Sequence, residues 1–204
     1  MAIPSSLSLV QLHSGQMKVF QSPHRFKVVC AGRRWGKSRL SISTIIRAAA
    51  KEKKQRVWYQ MARQILWDDL QEVLPRQWVR KKNDTTMTIV LKNGSEIALK
   101  GADKPDTLRG VALHFVVLDE FQDMKADTWY KVLRPTLSST RGGALIIGTP
   151  KGFSEFHKLW TIGQNVELQR KGQWKSWQFV TADSPFVPTA EIEAAKNDMD
   201  PKSF

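Results

Sequence analysis

Eight residues, Ala31-Gly32-Arg33-Arg34-Trp35-Gly36-Lys37-Ser38, constrain this chain more than any other segment. Before them, Phe26–Ala31 (FKVVCA) reads as a buried strand. After them, Leu40, Ile42, Ile45, Ile46 and Ala49 supply the broad apolar face of a helix over Ser38–Ala50. A phosphate-binding loop asks for Gly, four residues, then Gly-Lys-Ser/Thr at such a strand-to-helix turn. Gly36, Lys37 and Ser38 match, whereas Ala31 stands where the first glycine is expected. The chemistry is local: successive backbone N–H groups and a helix N-terminus cradle phosphate oxygens, and Gly36 lets the backbone come close. Lys37 is then expected on the β- and γ-phosphates, with the Ser38 hydroxyl on Mg²⁺. A basic turn that happens to cap a helix would contain the same residues, so a second element is needed.

That element is His114-Phe115-Val116-Val117-Leu118-Asp119-Glu120, an apolar strand ending in acid. The strand's end would present Asp119 to the metal opposite Ser38. Glu120 is the candidate general base, able to orient and deprotonate an attacking water. Alone, two adjacent carboxylates also describe an ordinary strand-to-loop transition; together with the loop they predict a nucleoside triphosphate site.

Short apolar runs alternate with helical patterns along the remaining chain, which predicts α/β architecture with a mostly parallel sheet and helices on both faces. Further strands are expected at Val57–Met61, Ala144–Ile147 and Trp177–Val180, and helices at Gln64–Val73 and Thr189–Asn197. Lys92-Asn93-Gly94 between Thr86–Leu91 and Ser95–Leu99 signals a hairpin. The 204 residues suit a single domain, 1–204, with enough core to need no staple. Cys30 is the lone cysteine, so no intrachain disulfide forms, and no signal peptide or membrane-length apolar run is present. These features predict a cytosolic protein of the host cell with no membrane partner. The histidines show no zinc-ligand spacing.

Charge points to a polyanion. Residues 1–102 hold 19 Lys and Arg against 6 Asp and Glu, and the rest is balanced at 13 and 13, so the net +13 lies entirely in the first half. Nucleic acid is the commonest partner for such a field, although a solvated basic face that aids solubility is the plain alternative. Arg76, Arg80, Lys81 and Lys82 are the candidate contact surface.

Taken together, these motifs make the chain resemble the N-terminal ATPase domain of the large subunit of tailed-phage terminases. AGRRWGKS resembles that family's variant phosphate loop, and HFVVLDEFQD its acidic strand. Ile146-Ile147-Gly148-Thr149-Pro150 resembles its third motif, Leu12-His13-Ser14-Gly15-Gln16 an adenine-recognising element, and Thr107-Leu108-Arg109-Gly110 an arginine-bearing loop. The resemblance implies a P-loop NTPase of the additional-strand, RecA-like type, with the third-motif strand between the other two and the Thr86–Leu99 hairpin as an insertion. It implies a motor that hydrolyses ATP, with Mg²⁺, to translocate double-stranded viral DNA into a capsid; a helicase sharing this core is the alternative. It assigns Gln16 to adenine, Gly32, Arg33, Arg34, Trp35, Gly36, Lys37, Ser38 and Thr149 to the nucleotide, and Arg109 to a neighbouring subunit's site as a finger in trans. Arg33 would contact the γ-phosphate, while Trp35 could instead pack beneath the loop. A homo-oligomeric ring on a portal, with a small terminase subunit, is the implied assembly. The family's RNase H-like nuclease domain is not expected in this chain.

Overall fold

The computed structural model describes residues 10–60, 64–101, 111–125, 127–188, 190, 192 and 193. Its strands are β1 (Phe26–Ala31), β2 (Arg56–Gln60), β3 (Val79–Asn83), β4 (Thr88–Leu91), β5 (Glu96–Lys100), β6 (Phe115–Leu118), β7 (Gly143–Gly148) and β8 (Trp174–Phe179). They form one sheet in the order β3-β4-β5-β2-β6-β7-β1-β8. Pairing is parallel from β5 through β8, and antiparallel where β4 joins β5 and β3 joins β4.

The middle strands are apolar on successive residues because both faces of the sheet are covered. In β1, Val29 and Ala31 enter one core while Phe26, Val28 and Cys30 enter the other. The first face is packed by α1 (Ser14–Gln21), α2 (Lys37–Lys51) and α3 (Gln64–Val73). The second is packed by a π-helical stretch, Thr128–Leu133, that runs into α4 (Arg134–Thr136), and by α5 (Glu155–Gln164). A short α6 (Val166–Arg170) leads into β8. Leu40, Ile42, Ile45 and Ile46 of α2 are each at most 4% exposed. At about 1.5–3 kcal/mol per fully buried aliphatic side chain, they anchor the helix that begins at the phosphate loop.

β7 lies between β6 and β1, as the resemblance implies. Its register aligns Gly148 with Cys30 and Ile146 with Leu118, so the three strands end on one edge. Loops leaving that edge carry residues 32–38, 119–120 and 149. One expectation is corrected. The Asn-Gly hairpin exists, yet it is no separate insertion: β5 pairs in parallel with β2 and belongs to the main sheet. Only β4 and β3 are appended, as an antiparallel edge. The sequence pattern does not announce β3, since four of its five residues are exposed and its run is charged rather than apolar. The expected helix at 189–197 falls mainly outside the described residues. Among the described residues no helix is long and apolar enough to cross a membrane.

Candidate nucleotide-binding site

The loop after β1 turns at Gly36, whose φ of 91° is the left-handed conformation that favours glycine. Gly36 serves as the N-cap of α2, and the first N–H groups of that helix have no intrahelical acceptor. A Cβ there would also collide with the Gln16 amide nitrogen. From above, the Ser184 hydroxyl donates to the Arg34 carbonyl at 3.0 Å.

Two residues of the expected site lie inside the chain. Trp35 is fully buried beneath the loop, stacked on Phe179 at 4.5 Å and meeting His13 edge-on at 4.9 Å. Its indole is a packing element, and only its backbone remains for a ligand. Gln16 is also fully buried. Its Nε2 donates to the Gly36 carbonyl at 2.9 Å and the Trp35 carbonyl at 3.4 Å, while Oε1 accepts from the His13 N–H at 3.0 Å. In this arrangement the Gln16 amide supports the loop through the Gly36 and Trp35 carbonyls.

Lys37 uses its ammonium on three acceptors: the carbonyls of Ala31 and Gly32, both at 3.2 Å, and Thr149 Oγ1 at 2.9 Å. Burial lowers its pKa, and the carboxylates of Glu120 and Asp119 oppose that shift. Thr149 follows β7, so the tip of the third-motif strand touches the phosphate-loop lysine directly.

Across the cleft, Asp119 accepts from the Tyr59 hydroxyl and, through its other oxygen, from the Glu120 N–H at 2.9 Å. Burial raises the Asp119 pKa, the Tyr59 hydrogen bond works against that, and the Glu120 charge adds to it. Tyr59 itself is pushed up by burial first and the Asp119 charge second, so it stays a donor. Glu120 takes φ 50°, ψ 44°, an uncommon conformation for a non-glycine residue that turns the chain sharply after β6.

These ends enclose a cavity of about 920 Å³ lined by Arg33, Arg34, Gly36, Lys37, Ser38, Glu120 and Thr149. Gly32, Trp35, Gln16 and Asp119 do not line it. Arg109 lies outside the described residues. Residues the sequence reading missed do line it: Asp69 and Glu72 from α3, Arg39, Gln122, Asp123 and Lys151. Tyr59 was also missed, because a tyrosine in an apolar strand reads as core, and only the parallel pairing of Tyr59 with Val117 brings it to the acidic turn. Among the described residues no group of three or more His, Cys, Asp or Glu could hold a metal by itself.

Residues 23–195 match the family model described as phage terminase large subunit. The large terminase subunit of Thermus phage G20c is 31% identical over 176 residues, covering 74% of this chain and 36% of that protein. The ATPase domain of the large terminase of Thermus phage P74-26 superposes with a TM-score of 0.81 at 22% identity, covering 99% of this chain and 95% of that one. A large terminase from another thermophilic bacteriophage, solved in complex with ATP-gamma-S, superposes with a TM-score of 0.68 at 15% identity, over 93% of this chain and 50% of that one. The chain thus spans little more than a third of the curated relative's length.

Proposed function

Since this chain belongs to the phage terminase large-subunit family, we propose that it is an ATP hydrolase whose turnover drives double-stranded DNA into a capsid. The observation that carries the reading is one cavity faced by Lys37 from the loop after β1, Glu120 after β6 and Thr149 after β7. A cation, a carboxylate base and a strand tip meet at the carboxyl edge of a parallel sheet, where α/β folds bind ligands.

In this reading Gly32, Gly36 and the backbone of Arg33, Arg34 and Trp35 cradle the phosphates, and Arg33 extends toward the γ-phosphate. Lys37 exchanges its bond to Thr149 for phosphate oxygens. Ser38 and Asp119 would hold Mg²⁺, which neutralises charge on the phosphates when bound. Glu120 orients a water and accepts its proton. Arg109 is assigned to a neighbouring subunit's site, where a planar, permanently charged guanidinium suits oxygens that gain charge in the transition state. Domain 1–204 would act within a homo-oligomeric ring at a portal, with a small terminase subunit, in the host cytoplasm. The DNA-facing surface is assigned to Arg76, Arg80, Lys81 and Lys82, all exposed. Lys82 is partly engaged, with Asp84 at 3.0 Å, but an exposed pair of this kind is easily exchanged for a DNA phosphate.

The test is phosphate release with and without duplex DNA, alongside nucleotide binding. Lys37→Ala should lose binding or turnover without unfolding. Glu120→Gln should bind ATP as before and turn over at least about a hundredfold more slowly, because an amide orients water but cannot take its proton. Full turnover in Lys37→Ala would remove the phosphate-loop assignment; normal turnover in Glu120→Gln would move the base elsewhere.

A further inference from the structure

We propose that Gln122 is a positioning residue for hydrolysis, a side-chain amide that ties Glu120 to the tip of β7 and so makes the aim of the base depend on that strand. The proposal rests on the ATPase reading of the same cavity.

Gln122 lies in the one-turn 3-10 helix Phe121–Asp123 that follows β6. Its Nε2 donates to Glu120 Oε2 at 2.6 Å and, more weakly, to Asp123 Oδ2 at 3.2 Å. Its Oε1 accepts from the Thr149 backbone N–H at 3.1 Å. One planar group thus joins the acidic turn to the strand that separates it from the phosphate loop. Gly148 supplies the room: a Cβ there would collide with the Gln122 carbonyl oxygen, although its backbone is not in the left-handed region that requires glycine. The glycine is explained by the amide lying against it.

The arrangement has two consequences. A glutamate side chain carries three rotatable bonds, and a base contributes only while it is aimed at the water. Anchoring Oε2 to an amide that is itself fixed by main chain removes that freedom and leaves Oε1 for the water. Second, Thr149 is held at both ends, its N–H by Gln122 and its hydroxyl by Lys37 at 2.9 Å. Phosphate oxygens that draw Lys37 away release one end of Thr149, and any shift of that residue passes through the amide to Glu120. Asp123 and Lys151, paired at 2.8 Å, bridge the same gap on the surface.

The experiment uses the full chain, Gln122→Met, which keeps length and loses all three hydrogen bonds, and Gln122→Glu. Gln122→Met should keep its KM for ATP within about threefold, lose about tenfold in kcat, and exchange the Thr149 amide proton about tenfold faster by NMR. In Gln122→Glu the amide donor becomes a carboxylate that repels Glu120 while the length is kept, so kcat should fall at least as far as in Gln122→Met with KM again within about threefold. Should the Met variant not fold, this kcat-against-KM split decides. Unchanged kcat in either variant, or an unchanged Thr149 exchange rate, would overturn the proposal. No turnover in the unsubstituted chain would instead remove the ATPase reading beneath it.

Discussion

Lys27 shows how a single side chain in the phosphate-loop strand carries a cost that depends on pH. Only 7% exposed in β1, it donates to the carbonyls of Val19 at 2.9 Å and Phe20 at 3.4 Å, where α1 ends. Burial, with a smaller push from Arg47, lowers its pKa to about 7. Between that value and the ordinary lysine range the unfolded chain binds more protons than the folded one, so stability should rise with pH across that window and stay flat below it. Lys27→Met removes the effect while both carbonyls keep a partner, Ser22 N–H on Val19 and Arg47 on Phe20. Urea unfolding at pH 6 and 9 should show the unsubstituted chain gaining about 2 kcal/mol on the variant. An equal difference at the two pH values would mean that Lys27 keeps an ordinary pKa. FKVVCA reads as a buried strand, but the carbonyls that receive its one lysine belong to another segment and are not legible in it.

At the scale of elements, α1 is the part for which sequence and structure suggest different roles. Leu12–Gln16 resembles an adenine-recognising element, but Gln16 occupies the first turn of a helix and its amide holds the Gly36 and Trp35 carbonyls. α1 is thus a strut under the loop, stapled at its far end by Lys27 and Arg47. The two roles separate in a binding assay. Gln16→Ala should weaken ATP and GTP alike and lower the folding stability by about 1–3 kcal/mol, because the His13 N–H loses its acceptor and the Gly36 and Trp35 carbonyls each lose one of two donors. A variant that loses ATP affinity while binding GTP as before would return Gln16 to base recognition. The hairpin offers a similar lesson: Lys92-Asn93-Gly94 announces a tight turn through local backbone preference, whereas β5 joining β2 depends on packing between segments far apart in the chain that no local signal encodes.

For the whole molecule, the charge of +13 concentrated in residues 1–102 is the property that acts at a distance. Part of that half is used inside: Lys27, Lys37 and Arg47 all donate to main-chain carbonyls. The remainder includes the basic edge strand β3, which extends the sheet away from the cavity. Duplex DNA bound there should show no sequence preference, and its affinity should fall steeply with salt, with a slope of about −0.9 per phosphate neutralised. Arg80→Ala with Lys81→Ala should lower that slope by about 2, measured by titration at several salt concentrations. An affinity indifferent to salt, or a double variant with the original slope, would take β3 out of the interface.

The sequence by itself determined the elements whose causes are local: a glycine-lysine-serine turn between an apolar strand and an amphipathic helix, a strand ending in two acids, and a helix over Gln64–Val73. Periodicity and turn chemistry act over a few residues, so they are written where they operate. Only the tertiary structure decided that Trp35 and Gln16 lie under the loop, that Tyr59 holds Asp119, and that Gln122 joins Glu120 to Thr149. Each of these depends on which strands are neighbours and how their registers align, and the free energy that selects neighbours comes from burying both faces of the sheet at once. A glutamine two residues after a base looks like any loop residue until β7 is laid beside it.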